Sequence, residues 1–295
     1  MISFSDTSPL LLKDMTGVQE WPDDTLAPWK IIIFNVTGQL SFPDYWNPCG
    51  GTLLDSTTIL TTASCFHNNG FSSENYHNGT FIFAGDKRIR QLDFVQIVDI
   101  IYPIAPNGFE RKSFGTLNNI AIVKLDKALA LKSNSQLACL PDPNDYVPEN
   151  NTKCFIGKWR SDWSLGLYLT KTHFQNNISF LILANDSGMK FYWYPTRIIC
   201  RDKCRKIWGK SHKITSNMIC TEELPGGCMG SDDFDVNYSG EPLVCLVGNV
   251  PKIVGLSSRG TMCAVNIHGG NERPKLFTRV EKYYDWIKLA MVICS

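Results

Sequence analysis

Short segments in which apolar and polar residues alternate recur along the chain, and they predict an all-β protein. Clear examples are Phe81–Ala84, Phe94–Ile101 and Ile120–Leu125. Apolar residues at every second position turn one face of a strand towards a core. No internal repeat or low-complexity tract interrupts the pattern.

The stretch Cys49–Cys65, CGGTLLDSTTILTTASC, predicts a β-hairpin with a cysteine at each end. Thr52–Leu54 and Thr58–Thr61 are rich in residues that favour strands, and Asp55-Ser56 is the predicted turn between them. Near the other end of the chain, around Tyr283–Ile287, the strand period changes to that of an amphipathic helix.

The order of these segments resembles the trypsin-like serine protease family. Cys49–Cys65 is similar to the family's CGGSLI and LTAAHC blocks. Further matching segments are Ala27–Phe34 (PWxVxL), Asn119–Leu125 (DIALLKL), Cys139–Pro141 (CLP), Cys154–Trp159 (CxVxGWG), Asn217–Cys220 (NMICAG), Tyr238–Cys245 (GDSGGPLVC) and Leu276–Ile287 (YTRVxxYxxWI). The resemblance implies a double six-stranded β-barrel with a C-terminal α-helix.

The resemblance also implies a domain boundary, with the trypsin-like domain over 27–295 after an N-terminal segment, 1–26. Counting back from the PWxVxL match, the family's buried amino terminus falls on Thr16–Gln19. Met15 stands where an activating protease expects Arg or Lys. The segment therefore lacks an activation cleavage motif. The longest departure from the family pattern is Ser161–Pro195, which we interpret as enlarged surface loops.

Two of the three positions of the family's catalytic triad carry other residues, and the serine at the third position has no base as its partner. Ser64 stands at the position of the catalytic His, and Asn119 at that of the Asp. Ser239 stands at the position of the nucleophile. A serine hydroxyl needs a base to take its proton, and neither a second hydroxyl nor a neutral amide is one near pH 7. Loss of a triad base lowers kcat by about 10⁶.

Two neighbours of Ser239 also depart from the pattern. Tyr238 replaces the Asp that pairs with the freed amino terminus in active relatives. Glu241 replaces a glycine and adds bulk and charge near the expected oxyanion hole. A rival register, in which Cys228–Asp232 matches the family's CxGDS, remains open. We prefer Ser239 because Pro-Leu-Val-Cys follows it.

Another histidine could in principle supply the missing base. His67 lies two residues beyond Cys65, where the fold is expected to turn away, so we interpret it as a loop residue. The other histidines have no motif context: His77, His173, His212 and His268. None has metal-ligand spacing, so no metal and no cofactor are predicted.

The primary specificity pocket of the family is predicted to be closed. Its base falls near Gly226, and its wall is Ser258-Arg259-Gly260. Lys275 stands where a glycine normally admits a substrate side chain. A lysine there would fill or charge the pocket, or else direct its stem to solvent.

Cysteine content and sequons favour an oxidising, secretory compartment. The chain has 11 cysteines without a C-x-x-C pair. N-x-S/T sequons occur at Asn35, Asn78, Asn150, Asn177, Asn185 and Asn237. We therefore predict a secreted glycoprotein. A signal peptide is not visible, and we interpret the start as truncated or alternative. No membrane-spanning segment is predicted. A net charge of +1 does not indicate any class of binding partner, and no nucleic-acid partner is predicted.

By resemblance, four disulfides are implied: Cys49–Cys65, Cys154–Cys245, Cys204–Cys220 and Cys228–Cys263. Cys139, Cys200 and Cys294 are left over. One further internal pair with one free thiol, or an intermolecular bridge, are both open.

Basic residues crowd one segment whose acidic residue is Asp202: Arg197, Arg201, Lys203, Arg205, Lys206, Lys210 and Lys213. Relatives hold heparin-like glycans on comparable helices, so this is a candidate anionic-ligand patch. A solvated helix face is the ordinary alternative.

The sequence therefore predicts an inactive serine protease homologue that acts by binding a protein or an anionic glycan. One alternative is a weak serine hydrolase that uses Ser239 with a non-standard base. A third is the product of a decaying gene. Labelling with a fluorophosphonate probe separates the first two.

Overall fold

The computed structural model consists mainly of β-strands, as the alternating pattern predicts. It describes residues 30–35, 49–67, 80–84, 88–89, 95–97, 100–107, 117–129, 138–145, 147, 153–161, 168–174, 177–183, 189–208, 213–222, 239–247, 250–258 and 275–293. The predicted N-terminal segment 1–26 lies outside these residues.

The N-terminal half forms one curled antiparallel sheet. The strands of this half of the chain are β1 (Lys30–Asn35), β2 (Cys49–Asp55), β3 (Thr58–Thr61), β4 (Thr80–Ala84), β5 (Arg88–Ile89), β6 (Val95–Ile97), β7 (Ile100–Ile104) and β8 (Ala121–Leu125). All except β5 lie in the order β6-β4-β1-β2-β3-β8-β7. The edge strands β6 and β7 are two residues apart in the chain. Because a residue spans at most about 3.6 Å, the two edges lie close together and the sheet curls.

The C-terminal half forms a closed six-stranded barrel. The six barrel strands are β9 (Lys153–Ser161), β12 (Met189–Ile199), β13 (Met218–Thr221), β14 (Pro242–Val247), β15 (Val250–Ser257) and β16 (Lys275–Arg279), while β10 (Tyr168–Phe174) and β11 (Asn177–Leu183) lie outside the barrel. The ring runs β13-β16-β15-β14-β9-β12, and pairing of β12 with β13 closes it. β5 pairs with the start of β12 and so connects the halves.

The predicted hairpin between Cys49 and Cys65 is present, with its turn one residue later than expected. Asp55 is the last residue of β2 and pairs with Thr58, so the turn is Ser56-Thr57 and the prediction of Asp55-Ser56 is wrong. The carboxylate of Asp55 accepts hydrogen bonds from the Thr57 N–H at 2.8 Å and from its hydroxyl at 2.9 Å. An Asp that bonds two residues ahead stands before the turn rather than inside it.

The interpretation of Ser161–Pro195 as surface loops is wrong for most of its length. β10 and β11 form a separate two-stranded hairpin, and β12 begins at Met189. β12 pairs with β9 from Met189–Ser161 to Arg197–Lys153. Hydrogen bonding to a neighbouring strand stabilises a strand even where its own pattern of apolar residues is irregular. The pairing of β12 with β9 therefore outweighed the local sequence pattern on which the loop interpretation was based.

The helices are short: α1 (Ser64–His67), α2 (Arg201–Trp208) and α3 (Tyr284–Ile293), the last entered through a 3₁₀ turn over Val280–Tyr283. The predicted C-terminal helix is thus confirmed. The inner face of α3 packs in one core cluster with residues of both halves, including Leu54, Leu140 and Val244. Among the described helices, none has the length and apolarity that a membrane span requires.

Candidate functional site

Three hydroxyl groups meet where the two halves of the chain come together. The Oγ of Ser239 lies 2.8 Å from the Oγ of Ser64 and 2.7 Å from the Oγ1 of Thr62. Ser64 can also donate to Thr62, over 3.5 Å. With Ser64 as the donor to Thr62, the Thr62 hydroxyl can donate to Ser239, and the Ser239 hydroxyl can donate to Ser64. Each proton then has an acceptor within this hydroxyl cluster, which we define as Thr62, Ser64 and Ser239.

Local structure explains how Thr62 and Ser64 reach this point. Both follow β3, and Ser64 is the first residue of α1. The disulfide Cys49–Cys65 joins the start of α1 to the start of β2. The cluster is sealed, because Thr62 and Ser64 have no exposed surface and Ser239 is 3% exposed.

Asn119 lies beside the cluster but orients a backbone group rather than a base. Its Oδ1 accepts the N–H of Ser64 at 2.9 Å, and its carbonyl accepts the hydroxyl of Thr278 at 2.9 Å. Its Nδ2 is buried and has no hydrogen-bond partner among the described residues. The side chain therefore fastens α1 to the start of β8. An uncharged amide supplies no negative charge to the site.

The backbone around Ser239 is held by both halves of the chain. Gly50 donates its N–H to the carbonyl of Ser239 at 2.8 Å, and Gly240 donates to the carbonyl of Ser257 at 2.9 Å. Gly240 has φ of +88°, and a Cβ there would meet the Gly50 carbonyl and the Thr61 hydroxyl. A glycine is required at this position because both its dihedral angle and its surroundings exclude a side chain.

Glu241 is buried at 3% exposure and packs against Gly50. Its N–H donates to the hydroxyl of Ser257 at 3.0 Å, and its carbonyl accepts the Ser257 N–H at 2.8 Å. A Cβ at Gly50 would lie 2.9 Å from the Cα of Glu241. The structure thus places Glu241 at the contact between β2 and β14. Tyr238 and the rival register Cys228–Asp232 lie outside the described residues.

Only part of the predicted specificity pocket falls within the described residues. Ser258 is buried, and its N–H donates to the carbonyl of Leu276 at 3.1 Å. Lys275 is half-buried, begins β16 and pairs with Thr221. Gly226, Arg259 and Gly260 lie outside the described residues. Closure of the pocket therefore stays a prediction.

Three of the disulfides that the family resemblance implied are present: Cys49–Cys65, Cys154–Cys245 and Cys204–Cys220. Cys228, Cys263 and Cys294 lie outside the described residues. Cys139 and Cys200 are partly exposed.

The other candidate residues are dispersed over the fold. His67 ends α1, and His173 lies in β10. Asn35 ends β1 and Asn177 begins β11. The remaining histidines and sequons lie outside the described residues: His77, His212, His268, Asn78, Asn150, Asn185 and Asn237.

The basic segment lies on and around α2. The exposed members are Arg197, Lys203, Arg205, Lys206 and Lys213, and Arg201 is half-buried. Lys210 lies outside the described residues.

Thr62 is the site residue that sequence reasoning missed. It stands in LTTASC where the LTAAHC block that it resembles has Ala. That one difference is the signal that could have identified it, because it adds a hydroxyl two residues from the triad position. Its partner Ser239 is 177 residues away in the chain.

Comparison with known proteins gives a consistent result. The protein-family model named Trypsin matches residues 24–287. Urokinase-type plasminogen activator of Gallus gallus is 26% identical over 266 residues, which cover 88% of this chain and 54% of that protein. The chain thus spans about half the length of that relative. Coagulation factor XI of Bos taurus is 26% identical over 268 residues, covering 88% of this chain and 35% of the relative. Chymotrypsin-like elastase family member 1 of Bos taurus is 26% identical over 275 residues, covering 92% and 85%.

Proposed function

Because the chain belongs to the trypsin family, we propose that it is a catalytically inactive member that acts by binding rather than by cleaving peptide bonds. The scaffold of the family is kept, with a closed barrel, a C-terminal helix and three disulfides in the described part of the chain. The proposed change lies in the chemistry at two of the three triad positions, where Ser64 and Asn119 stand in place of the His and the Asp.

The observation that carries this proposal is the hydroxyl cluster. The Oγ of Ser239 lies within hydrogen-bond distance of the hydroxyls of Thr62 and Ser64, at 2.7 and 2.8 Å. Neither hydroxyl can accept and keep the serine proton near pH 7. With Asn119 in place of a carboxylate, an imidazolium would also lack its stabilising charge. Loss of the base alone lowers kcat by about 10⁶.

Burial supports the same proposal independently of basicity. Attack on a peptide requires its carbonyl carbon to approach the nucleophilic oxygen to about 3–3.5 Å. Ser239 is 3% exposed, and Thr62 and Ser64 have no exposed surface. A substrate would therefore have to displace the partners of Ser239 before any reaction.

We propose that the protein is secreted and glycosylated. Its proposed partner is either a protein, such as a protease inhibitor, or an anionic glycan. The disulfides favour an oxidising compartment. The relatives are proteases, so a retained protease scaffold presents surfaces that inhibitors and substrates of relatives could recognise. The basic residues around α2 favour an anionic partner.

A fluorophosphonate probe tests the inactive assignment directly. We expect no labelling of the folded, purified protein, with bovine chymotrypsin-like elastase 1 labelled in parallel as the positive control. Ser239 is also the third residue of the sequon at Asn237. Ser239→Ala would remove both the hydroxyl and the sequon, so Asn237→Gln is the matched control.

Stoichiometric, Ser239-dependent labelling that persists in Asn237→Gln would overturn the proposal. It would instead support the runner-up, a weak serine hydrolase with a non-standard base. A thermal unfolding curve of the same sample shows that the unlabelled protein is folded, which also distinguishes a binding protein from the unfolded product of a decaying gene.

A further inference from the structure

An insertion in the barrel forms the β10–β11 hairpin, and neither of its strands pairs with any further strand in the described part of the chain. β9 ends at Ser161, which pairs directly with Met189 at the start of β12. The chain therefore leaves the barrel and returns to it at one place. Leu243 of β14 pairs with Ile156 of β9, and the two strands are antiparallel. Because of this register, the insertion begins at the barrel end on which Ser239 lies.

The β11 edge lacks the sequence features that usually protect a free strand edge. Native proteins protect such edges with lysine, proline or bulges. The seven residues of β11, NISFLIL, include no charged residue and no proline. Their register with β10 runs from Asn177 to Leu183 without a bulge. β10 differs, because Lys171 stands in the middle of that strand.

The register of the hairpin shows which backbone groups are directed outward from β11. Two residues separate Phe174 from its partner Asn177, and a pair at this spacing is hydrogen-bonded across the hairpin. Hydrogen-bonded and non-hydrogen-bonded pairs alternate along an antiparallel ladder. The backbone N–H and C=O groups of Ile178, Phe180 and Ile182 are therefore directed away from β10. They form a row to which a further antiparallel strand can bond.

We propose that the chain forms a dimer in which β11 pairs antiparallel with β11 of a second copy. A two-fold axis at Phe180 places this residue opposite its own copy, and Ile178 opposite Ile182 of the second copy, so that outward groups meet outward groups. Aromatic and β-branched residues are favourable partners in cross-strand pairs. The dimer joins two hairpins into a four-stranded sheet, whereas an isolated hairpin is only marginally stable in water.

Charge favours a second copy on the β11 edge and limits the assembly to two chains. The uncharged β11 strands meet without like charges, whereas the same arrangement on the β10 edge places Lys171 opposite Lys171 of another copy. Like charges directly opposite each other destabilise a sheet. Both outer edges of the four-stranded sheet are β10 edges, so growth stops at the dimer. Asn177, a candidate glycosylation residue, stands at the end of the new ladder and not at its centre.

Proline substitutions on the two edges of the hairpin test the proposal. Ile182→Pro removes an N–H that is directed outward from β11. Leu169→Pro is the matched control, because Leu169 pairs with Ile182 and its N–H is directed outward from β10. Sedimentation velocity of the full chain over a concentration series measures the dimer dissociation constant. We expect Ile182→Pro to raise this constant about 10- to 100-fold, since the lost hydrogen bond occurs twice in a symmetric dimer, and Leu169→Pro to leave it unchanged.

Charge at the two-fold axis gives a second test that keeps the hairpin itself. Phe180→Glu places like charges opposite each other in the dimer, but within its own hairpin the new carboxylate stands opposite Lys171. This variant should be monomeric. A mixture of Phe180→Glu and Phe180→Lys should form a heterodimer, because opposite charges then meet at the axis.

Hydrogen exchange resolved to single amides identifies the edge that is covered. The amides of Phe180 and Ile182 should exchange more slowly as the protein concentration rises, and those of Leu169 and Lys171 should not. An unmodified chain that stays monomeric at every concentration would overturn the proposal, as would equal weakening by the two proline variants. So would a dimer that survives both Ile182→Pro and Phe180→Glu, because a disulfide between copies or another surface then holds it.

This inference goes beyond the proposed function and does not depend on the loss of catalysis. Its test measures the association of two copies and leaves Ser239 unchanged. Labelling of Ser239 by a fluorophosphonate probe would therefore overturn the inactive assignment alone, and a monomeric chain would overturn the dimer alone.

Discussion

At the scale of single residues, Ser239 has a structural role. Its hydroxyl joins Thr62 and Ser64 of one half to the start of β14 in the other. All three side chains are buried. Removing one partner of a buried hydrogen bond leaves the other unsatisfied, which lowers the free energy of unfolding by about 1–3 kcal/mol. Replacing both partners by apolar groups of similar shape can leave that free energy nearly unchanged.

A double-mutant cycle on the hydroxyl cluster tests this role. In an Asn237→Gln background, Thr62→Val and Ser239→Ala should each lower the free energy of unfolding by about 1–2 kcal/mol. The double variant should lose less than the sum, with a coupling energy of about 1 kcal/mol. Denaturant unfolding measures all four proteins.

The control for this cycle is Thr221→Val. Thr221 is as buried as Thr62, but its hydroxyl has no hydrogen-bond partner among the described residues. Its replacement should leave stability unchanged or raise it. Strict additivity of Thr62→Val and Ser239→Ala would contradict the proposed contact.

At the scale of elements, the β2–β3 hairpin positions the site, and its turn depends on Asp55. Burial raises the pKa of the Asp55 carboxyl, but hydrogen bonds from Thr58 and Thr57 and the charge of Lys124 outweigh burial. The pKa is therefore lower than its ordinary value. The hairpin matters for the site because Thr62 and Ser64 follow β3 directly.

The lowered pKa of Asp55 predicts a pH-dependent contribution to stability. A carboxyl with a depressed pKa in the folded state stabilises fully above its unfolded pKa, near 3.9. It loses this contribution as the pH falls through the folded value. Asp55→Asn should thus be less stable than the unmodified chain by about 1 kcal/mol at pH 7. The difference should narrow below about pH 4 in thermal unfolding. A constant difference from pH 7 to pH 3 would contradict the assignment.

At the scale of the whole molecule, one core cluster joins both halves. Leu54 comes from the first sheet and Ile120 directly precedes its strand β8, whereas Val244 and Leu256 come from the barrel and Ile287 from α3. Polar contacts cross the same boundary: the Tyr283 hydroxyl donates to Asn118 at 2.7 Å, and the Thr278 hydroxyl donates to the carbonyl of Asn119. The two halves are therefore expected to unfold together.

Ile287→Ala tests this coupling. Ile287 has no exposed surface, so its truncation should lower stability by about 2–5 kcal/mol. The unfolding curve should move as one transition, because the cluster belongs to both halves. Leu289→Ala on the same helix is the control, since Leu289 is 58% exposed and should change stability by less than about 0.5 kcal/mol. A biphasic curve for Ile287→Ala would contradict a shared core.

The sequence by itself determined the family, the all-β fold and the closing helix, and it predicted which residues occupy the triad positions. These follow from short motifs and from the chemical identity of Ser64, Asn119 and Ser239, which no folding event can change. Only the tertiary structure decided that Ser239 bonds to Thr62, that the cluster is sealed, and that β12 fills a stretch expected to be loop. Each of these depends on segments far apart in the chain, as with the 177 residues between Thr62 and Ser239. Local pattern carries no information on how such segments pack, because burial and pairing are set by the neighbours that folding brings together.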